Sequence, residues 1–233
     1  NRLMSSKHSE LIGSFREKSY LRHKRIYFLA AMISLMIALL LSFSHSPLSF
    51  GVLFFMSLAG GLYNMKILPD GWRFQRLKDI PGSKNFSTAM AWGMVTAVLP
   101  ALNDPRYFNT KMAVAFVFTF VLVFIRSSMS DIMDIQSDKL LGRETIPVVI
   151  GKEKTQTLLK VILLILLCIL LISFWAGWTS AISIFLIIPL LYIWICFQLC
   201  DRRSGLSGAT IEGLLETIYI IAGFAVLCWF ALV

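Results

Sequence analysis

Residues Leu158–Trp178 read LLKVILLILLCILLISFWAGW. One charge, Lys160, stands near the first end of these 21 residues, and nearly all the rest is aliphatic or aromatic. As a helix, such a stretch spans about 30 Å, the thickness of the hydrocarbon layer of a bilayer. Six more blocks of this kind surround it: Ile26–Phe43, Leu48–Met65, Ser87–Leu102, Met112–Ile125, Ala181–Leu199 and Leu214–Val233. With hydrophobic residues at 57% and charged residues at 15%, the chain lacks the polar surface of a soluble domain. Inside a bilayer the backbone must satisfy its own hydrogen bonds, and blocks of this length do so as helices. The reading is an all-α, multi-pass transmembrane helical bundle with seven helices in this chain.

The net charge of +9 raises nucleic acid as a partner, but the placement of the cations argues against it. Twenty of the 22 Lys and Arg fall in the segment before the first block, in alternate connections after it or, for Lys160, at the adjoining end of a block. The opposite connections carry Arg106 and Lys111 alone. Cations concentrate in this way on the cytoplasmic side of membrane proteins, so the long, charged loops are expected in the cytoplasm, at a cell or inner membrane. The outer connections are short, and long loops are where binding and chemistry concentrate. The four cysteines lie in apolar blocks without metal or redox spacing, and the three histidines are scattered. The chain opens at Asn1 without a charged leader, apolar core and cleavage site, and a preceding segment is expected.

One charged stretch stands out, Ser130–Gly151, reading SDIMDIQSDKLLGRETIPVVIG. Asp131, Asp134 and Asp138 recur at the spacing that places residues on one helix face. Three carboxylates facing one way repel unless a cation lies among them, and hard oxygen ligands suit Mg²⁺ bridging to a phosphate. The alternative is a solvated helix end answered by Lys139 and Arg143. A second connection gathers Tyr63, Lys66, Arg73, Arg76, Lys78 and Lys84, a cationic group fit to clamp a diphosphate, or simply a basic inner loop.

The run Asp131, Asp134, Asp138, Lys139, Gly142, Thr145, Ile146, Pro147 and Gly151 resembles the second aspartate motif of the UbiA superfamily of membrane prenyltransferases. Tyr63 and the later Arg76–Asn85 stretch look like that family's middle conserved loop. The resemblance covers the whole chain. It implies a single domain over residues 1–233 that lacks the first two of nine helices. It implies transfer of an isoprenyl group from an isoprenyl diphosphate donor to a hydrophobic acceptor, aromatic or lipid-like, within the bilayer, with Mg²⁺ as cofactor, as in isoprenoid biosynthesis. On that resemblance Asp131, Asp134 and Asp138 are metal ligands, with Asp134 and Asp138 central to catalysis. Tyr63 lines the cavity near the allylic cation, where an aromatic face is stabilising. Asn1, Lys66, Arg76, Lys78 and Arg126 fall to substrate binding.

The family's first motif, N-D-x-x-D-x-x-x-D, would fall near Asn1–Ser9, which reads NRLMSSKHS. Either that motif lies upstream, or this is a divergent member with Arg2, Ser5 and Ser9 where the aspartates stand; the spacing favours divergence. A non-catalytic relative that binds a prenyl or lipid ligand is therefore the second reading. A transporter is the third, and no internal repeat supports it. Arg126 either snorkels to the headgroups or pairs with an aspartate. Glu212 and Glu216, one turn apart, either favour a helix start or serve an acceptor as base.

Overall fold

The structure, a computed structural model, describes residues 15–63, 65, 77–102, 104–201 and 208–232. All regular structure in these residues is helical, with no strand. Two compact units emerge, Asn1–Leu58 and Ala59–Val233.

In the first unit α1 (Phe15–His45) carries an apolar stretch, Arg25–Ser44, long enough to cross a bilayer. It makes a tight turn into α2 (Pro47–Leu62), where Phe43 meets Phe50 edge to face with ring centroids 5.4 Å apart. Two hydroxyls in this stretch are satisfied locally. Ser34 donates to the Ala31 carbonyl at 2.9 Å and Ser44 to that of Leu41 at 2.8 Å. Such back-bonding is how a serine tolerates hydrocarbon surroundings.

The second unit is built around α5 (Thr110–Met133). Asn109 starts it: its backbone is extended and its side-chain oxygen accepts from the Lys111 and Met112 amides at 3.0 and 3.3 Å. Along α5, Val114, Phe118, Leu122, Ile125, Met129 and Ile132 recur every three or four residues and are buried. They pack on the matching stripe Leu159, Leu163, Leu166 and Leu170 of α8 (Lys152–Trp175). The same core takes in Ile193 and Phe197 of α10 (Ile187–Asp201) and Leu215 and Ile218 of α11 (Gly208–Leu232). The opposite faces of α8 and α11 are apolar too, with Leu164, Ile172, Phe224 and Leu227 exposed, as suits a lipid solvent.

Five helices among the described residues are long and apolar enough to cross a membrane, where seven apolar blocks are visible in the sequence. The other two blocks are helical but different in kind. One is α2, a shorter apolar helix. The other is α3 (Ser83–Gly93), continued through a π turn at Met94–Val98 into α4 (Leu99–Ala101). Pro100 explains that turn. It has no amide to give the Thr96 carbonyl, and its ring crowds the preceding turn. The ladder widens, so that the Leu99 amide reaches back five residues to Met94. α3 packs along α5, and it starts four residues earlier than the apolar block does.

Candidate functional site

The helix α5 runs past its apolar stripe into the aspartates and stops at Met133. Asp134 ends it with φ −88° and ψ 6°, and a second short helix, α6 (Ile135–Leu140), follows. The single-helix face expected for Asp131, Asp134 and Asp138 is therefore corrected: Asp131 belongs to α5, Asp134 to the break and Asp138 to α6. A continuous helix would have stacked three like charges, whereas the break lets each make different contacts. All three line one cavity of about 720 Å³, together with Tyr63, Lys84, Asn85, Arg143 and Thr145.

Asp131 is buried and held by Asn85, whose amide donates to its Oδ2 at 2.7 Å and to Ser128 Oγ at 3.1 Å. Ser127 Oγ in turn donates to Asn85 Oδ1 at 2.8 Å. Asn85 is wholly buried and engaged at both ends of its amide, so the side chain has one orientation available. The exposed Lys84 stands 3.9 Å from the other oxygen of Asp131.

Asp138 faces Arg143 at 3.6 Å, and Gly142 makes that possible. Gly142 has φ +65°, a left-handed conformation that glycine adopts without steric cost. Its amide bonds the Lys139 carbonyl at 3.3 Å and the Arg143 amide bonds that of Asp138 at 2.9 Å. This paired closure, a Schellman motif, ends α6 and carries Arg143 back over Asp138. The chain then enters α7 (Ile146–Ile150), with Pro147 in its first turn, where no amide is needed. Thr145, just before it on the cavity wall, leaves its buried Oγ1 without a hydrogen-bond partner among the described residues.

Asp134 is exposed on the cavity wall, yet partial desolvation raises its pKa above the ordinary carboxylate value. The negative charges of Asp138 and Glu212 push the same way, and Lys84 and Arg143 partly offset them. A carboxylate so placed is stabilised by a cation. Among the described residues no three acidic, histidine or cysteine side chains converge tightly enough to enclose a metal ion by themselves. Hard oxygens around a roomy cavity, two nearby cations and an orphaned hydroxyl nonetheless fit Mg²⁺ carried on a phosphate, which keeps part of its shell from water and ligand.

Tyr63 is also on this wall, its hydroxyl 3.0 Å from Ser83 Oγ. Beside it opens an apolar cavity of about 490 Å³, sharing Tyr63, Ile80 and Gly82 and reaching Phe86, Phe124 and Ile146. Gly82, at φ +78°, turns the chain into α3, and a Cβ there would stand 2.7 Å from the Ile146 side chain.

Of the other residues expected at the site, Asn1, Lys66 and Arg76 lie outside the described residues, as does the side chain of Lys78. Arg126 does not line the aspartate cavity. Residues five apart on a helix point about 140° apart, so Arg126 and Asp131 look different ways. Arg126 instead forms an ion pair with Glu216 of α11, on the wall of a third cavity of about 760 Å³. Asn85, Ser127 and Ser128 were not read from the sequence as site residues. The signal available for Asn85 was its place two residues after a Gly-Ser start, inside a membrane helix that begins before its apolar block.

A family model described as the UbiA prenyltransferase family matches residues 21–211, a span that contains the whole aspartate cavity. No curated protein and no solved structure matches the chain. The matched span covers most of the 233 residues, and its apolar helices are those of a multi-pass membrane protein. The chain belongs to the UbiA prenyltransferase family, whose general activity is prenyl transfer in a membrane.

Proposed function

We propose that this chain transfers an isoprenyl group from its diphosphate to a hydrophobic acceptor within the bilayer, with the diphosphate held in the aspartate cavity. The observation that carries this reading is the joint lining of one cavity of about 720 Å³ by three aspartates, Lys84, Arg143 and the orphaned Thr145 hydroxyl. Asp131, Asp134 and Asp138 would hold Mg²⁺ there. When bound, the ion neutralises the diphosphate and makes it a better leaving group.

The chain's own residues supply the rest. Lys84 and Arg143 lie where a leaving diphosphate needs positive charge, and the Thr145 hydroxyl has a hydrogen bond to give it. As the bond from the prenyl carbon to oxygen breaks, its electron pair leaves with the diphosphate. The acceptor supplies the electron pair for the new bond and gives up a proton. Tyr63 offers its ring to the passing allylic charge. The adjoining apolar cavity suits the prenyl chain, with Phe86 and Phe124 on its wall, each against the Phe120 ring at centroid spacings of 5.4 and 6.1 Å. Lys66, Arg76, Lys78 and Asn1 keep the substrate-binding roles their motif positions imply. The cation asymmetry supports a cytoplasmic site, and we read residues 1–233 as part of one prenyltransferase domain.

One observation favours a second reading, a ligand-binding relative without catalysis: Asp131 and Asp138 already have partners in Asn85, Lys84 and Arg143. Isoprenyl diphosphate binding to purified protein, with and without Mg²⁺, decides whether the aspartates hold the donor. Binding that needs Mg²⁺ and is lost in Asp134→Ala/Asp138→Ala is the expected result. Equal binding by the variant would remove the aspartates from the donor site. Product formation on adding acceptors then separates enzyme from binding protein.

A further inference from the structure

The third cavity, about 760 Å³ between α3, α5, α9 (Ile182–Phe185) and α11, has a different character from the other two. Its walls are mostly apolar, with the rings of Trp92, Phe118 and Tyr219 among them. The hydroxyls on it are largely spent. Thr88 and Thr96 donate to carbonyls of their own helix at 2.8 and 2.7 Å, and Ser127 donates to Asn85. The charge on the wall is the Arg126–Glu216 pair, which joins residues 90 apart in the chain.

Both partners lie well inside their membrane spans. Arg126 is seven residues from the end of α5 and Glu216 six from the start of the span Thr210–Leu232, or roughly 10 Å of helix in each case. Ionisable groups at that depth are retained for a task more often than for stability. The pair is balanced in charge but not in hydrogen bonds. One guanidinium nitrogen faces Glu216, while the buried Nε of Arg126 finds no acceptor among the described residues, and Glu216 stays half exposed. A partly exposed guanidinium beside an accessible carboxylate on one cavity wall can engage a group that both accepts and donates. A hydroxyl does both. A second anion would bring an uncompensated charge into hydrocarbon next to Glu216, and an ammonium would do the same next to Arg126.

We infer that this cavity binds a lipophilic molecule by an uncharged hydroxyl-bearing head, its oxygen accepting from Arg126 and its hydrogen donated to Glu216. Among the described residues the cavity shares no lining residue with the aspartate cavity, so this is a ligand site beyond the proposed donor site, and its preferred ligands are neutral phenols and alcohols. Asn85 ties the two sites together, since it bonds Ser127 on this cavity's wall and Asp131 on the other.

The probes are para-hexylphenol, its methyl ether para-hexylanisole, and para-hexylbenzoate, competed against radiolabelled para-hexylphenol. The protein is the purified chain in nanodiscs of zwitterionic lipid near neutral pH. The phenol is expected to bind about tenfold more tightly than the ether or the benzoate. Gly223→Leu fills open space on the cavity wall, where an added Cβ meets no atom within 4 Å, and abolishes binding. Glu216→Gln leaves Arg126 uncompensated and reverses the order of phenol and benzoate. Arg126→Gln, as a second variant, turns preference towards para-hexylbenzylammonium. Magnesium-dependent diphosphate binding stays intact in all three and reports that they fold.

The inference is overturned if the benzoate equals the phenol in wild type, if neither charge variant moves the order, or if no binding is sensitive to Gly223→Leu while the diphosphate still binds. Should the phenol bind as expected while the diphosphate does not, the hydroxyl site stands and the prenyl-transfer reading falls.

Discussion

The aspartate cavity and the Arg126–Glu216 cavity are nearly equal in volume, at about 720 and 760 Å³, and α5 helps to line both. They differ in where their polar atoms come from. The first draws its charges largely from a helix break and the loops around it, with Asp134, Asp138, Arg143 and Thr145 set within a dozen residues. The second draws a single neutralised pair from two helices distant in sequence. A cavity built from a local motif has surplus charge of both signs, suited to a charged ligand and its metal. A cavity built from one balanced pair has none to spare. The comparison teaches that volume sets what can enter each site, while charge balance sets what can stay.

The largest expected effect comes from removing the surplus charge. Asp134→Ala/Asp138→Ala should weaken Mg²⁺-dependent diphosphate binding by at least about a hundredfold, since charged hydrogen bonds contribute about 1.5–3 kcal/mol each. The same variant should leave para-hexylphenol affinity within about twofold of wild type, because binding at well-separated sites is nearly additive. Parallel losses at both cavities would break the distinction and make them one site.

Asn85 is where the two regions meet, so its loss should be felt in stability first. Asn85→Ala strands Asp131, Ser127 and Ser128, each buried. Leaving such groups unsatisfied costs about 1–3 kcal/mol apiece, and water entering the gap recovers part of it. Thermal unfolding in detergent should fall by several degrees, and diphosphate affinity should drop further than phenol affinity, because the contact to Asp131 is to a carboxylate that itself lines the aspartate cavity. A loss confined to phenol binding would reverse the assignment of Asn85 to the donor side.

These variants also mark how far the sequence could be read. The apolar blocks and the spaced aspartates were legible because each signal is local: hydropathy over some twenty residues, and a motif that closes within 21. Gly142 was legible as a motif glycine, though its purpose, returning Arg143 to Asp138, emerges from the two amide contacts that close α6. The aspartates share one cavity wall as their spacing suggested, but not on one helix, because helical periodicity presumes an unbroken helix and α5 ends at Met133. Arg126 was open between the headgroups and an aspartate, and it found a partner 90 residues away, a pairing no local spacing announces. Asn85 was hidden for a related reason: an apolar count starts the helix at Ser87, whereas Gly82 starts it earlier and carries the asparagine inside.

Gly82 gives a smaller and more local test. At φ +78°, with Ile146 Cδ1 2.7 Å from where a Cβ would stand, Gly82→Ala combines backbone strain with a clash. The left-handed conformation alone costs a non-glycine residue about 1–2 kcal/mol, and the Ile146 side chain has to shift as well. Because Gly82 lines the aspartate and apolar cavities and is absent from the third, donor binding should weaken several-fold while phenol affinity holds. A selective loss of phenol binding would mean that α3 is set in place as one rigid piece for both sites.

The last contrast is in pH. Partial desolvation, with Asp138 and Glu212 nearby, holds the Asp134 pKa above its ordinary value of 3.8, so its ionised form is disfavoured in the fold. Two opposite slopes follow. In metal-free protein the folded state binds the proton more tightly than the unfolded chain, so stability rises as pH falls through the raised folded pKa and stops rising near the unfolded value. Cation binding requires the ionised form, so Mg²⁺-dependent diphosphate affinity falls over the same descent. Asp134→Asn should remove this contribution from the stability profile and flatten the corresponding part of the binding profile, measured by thermal unfolding and by diphosphate titration. Phenol binding should show neither slope, because Asp134 does not line that cavity. If phenol affinity follows the Asp134 titration, the Asn85 bridge carries charge state from one cavity to the other, and the two sites act as a coupled pair.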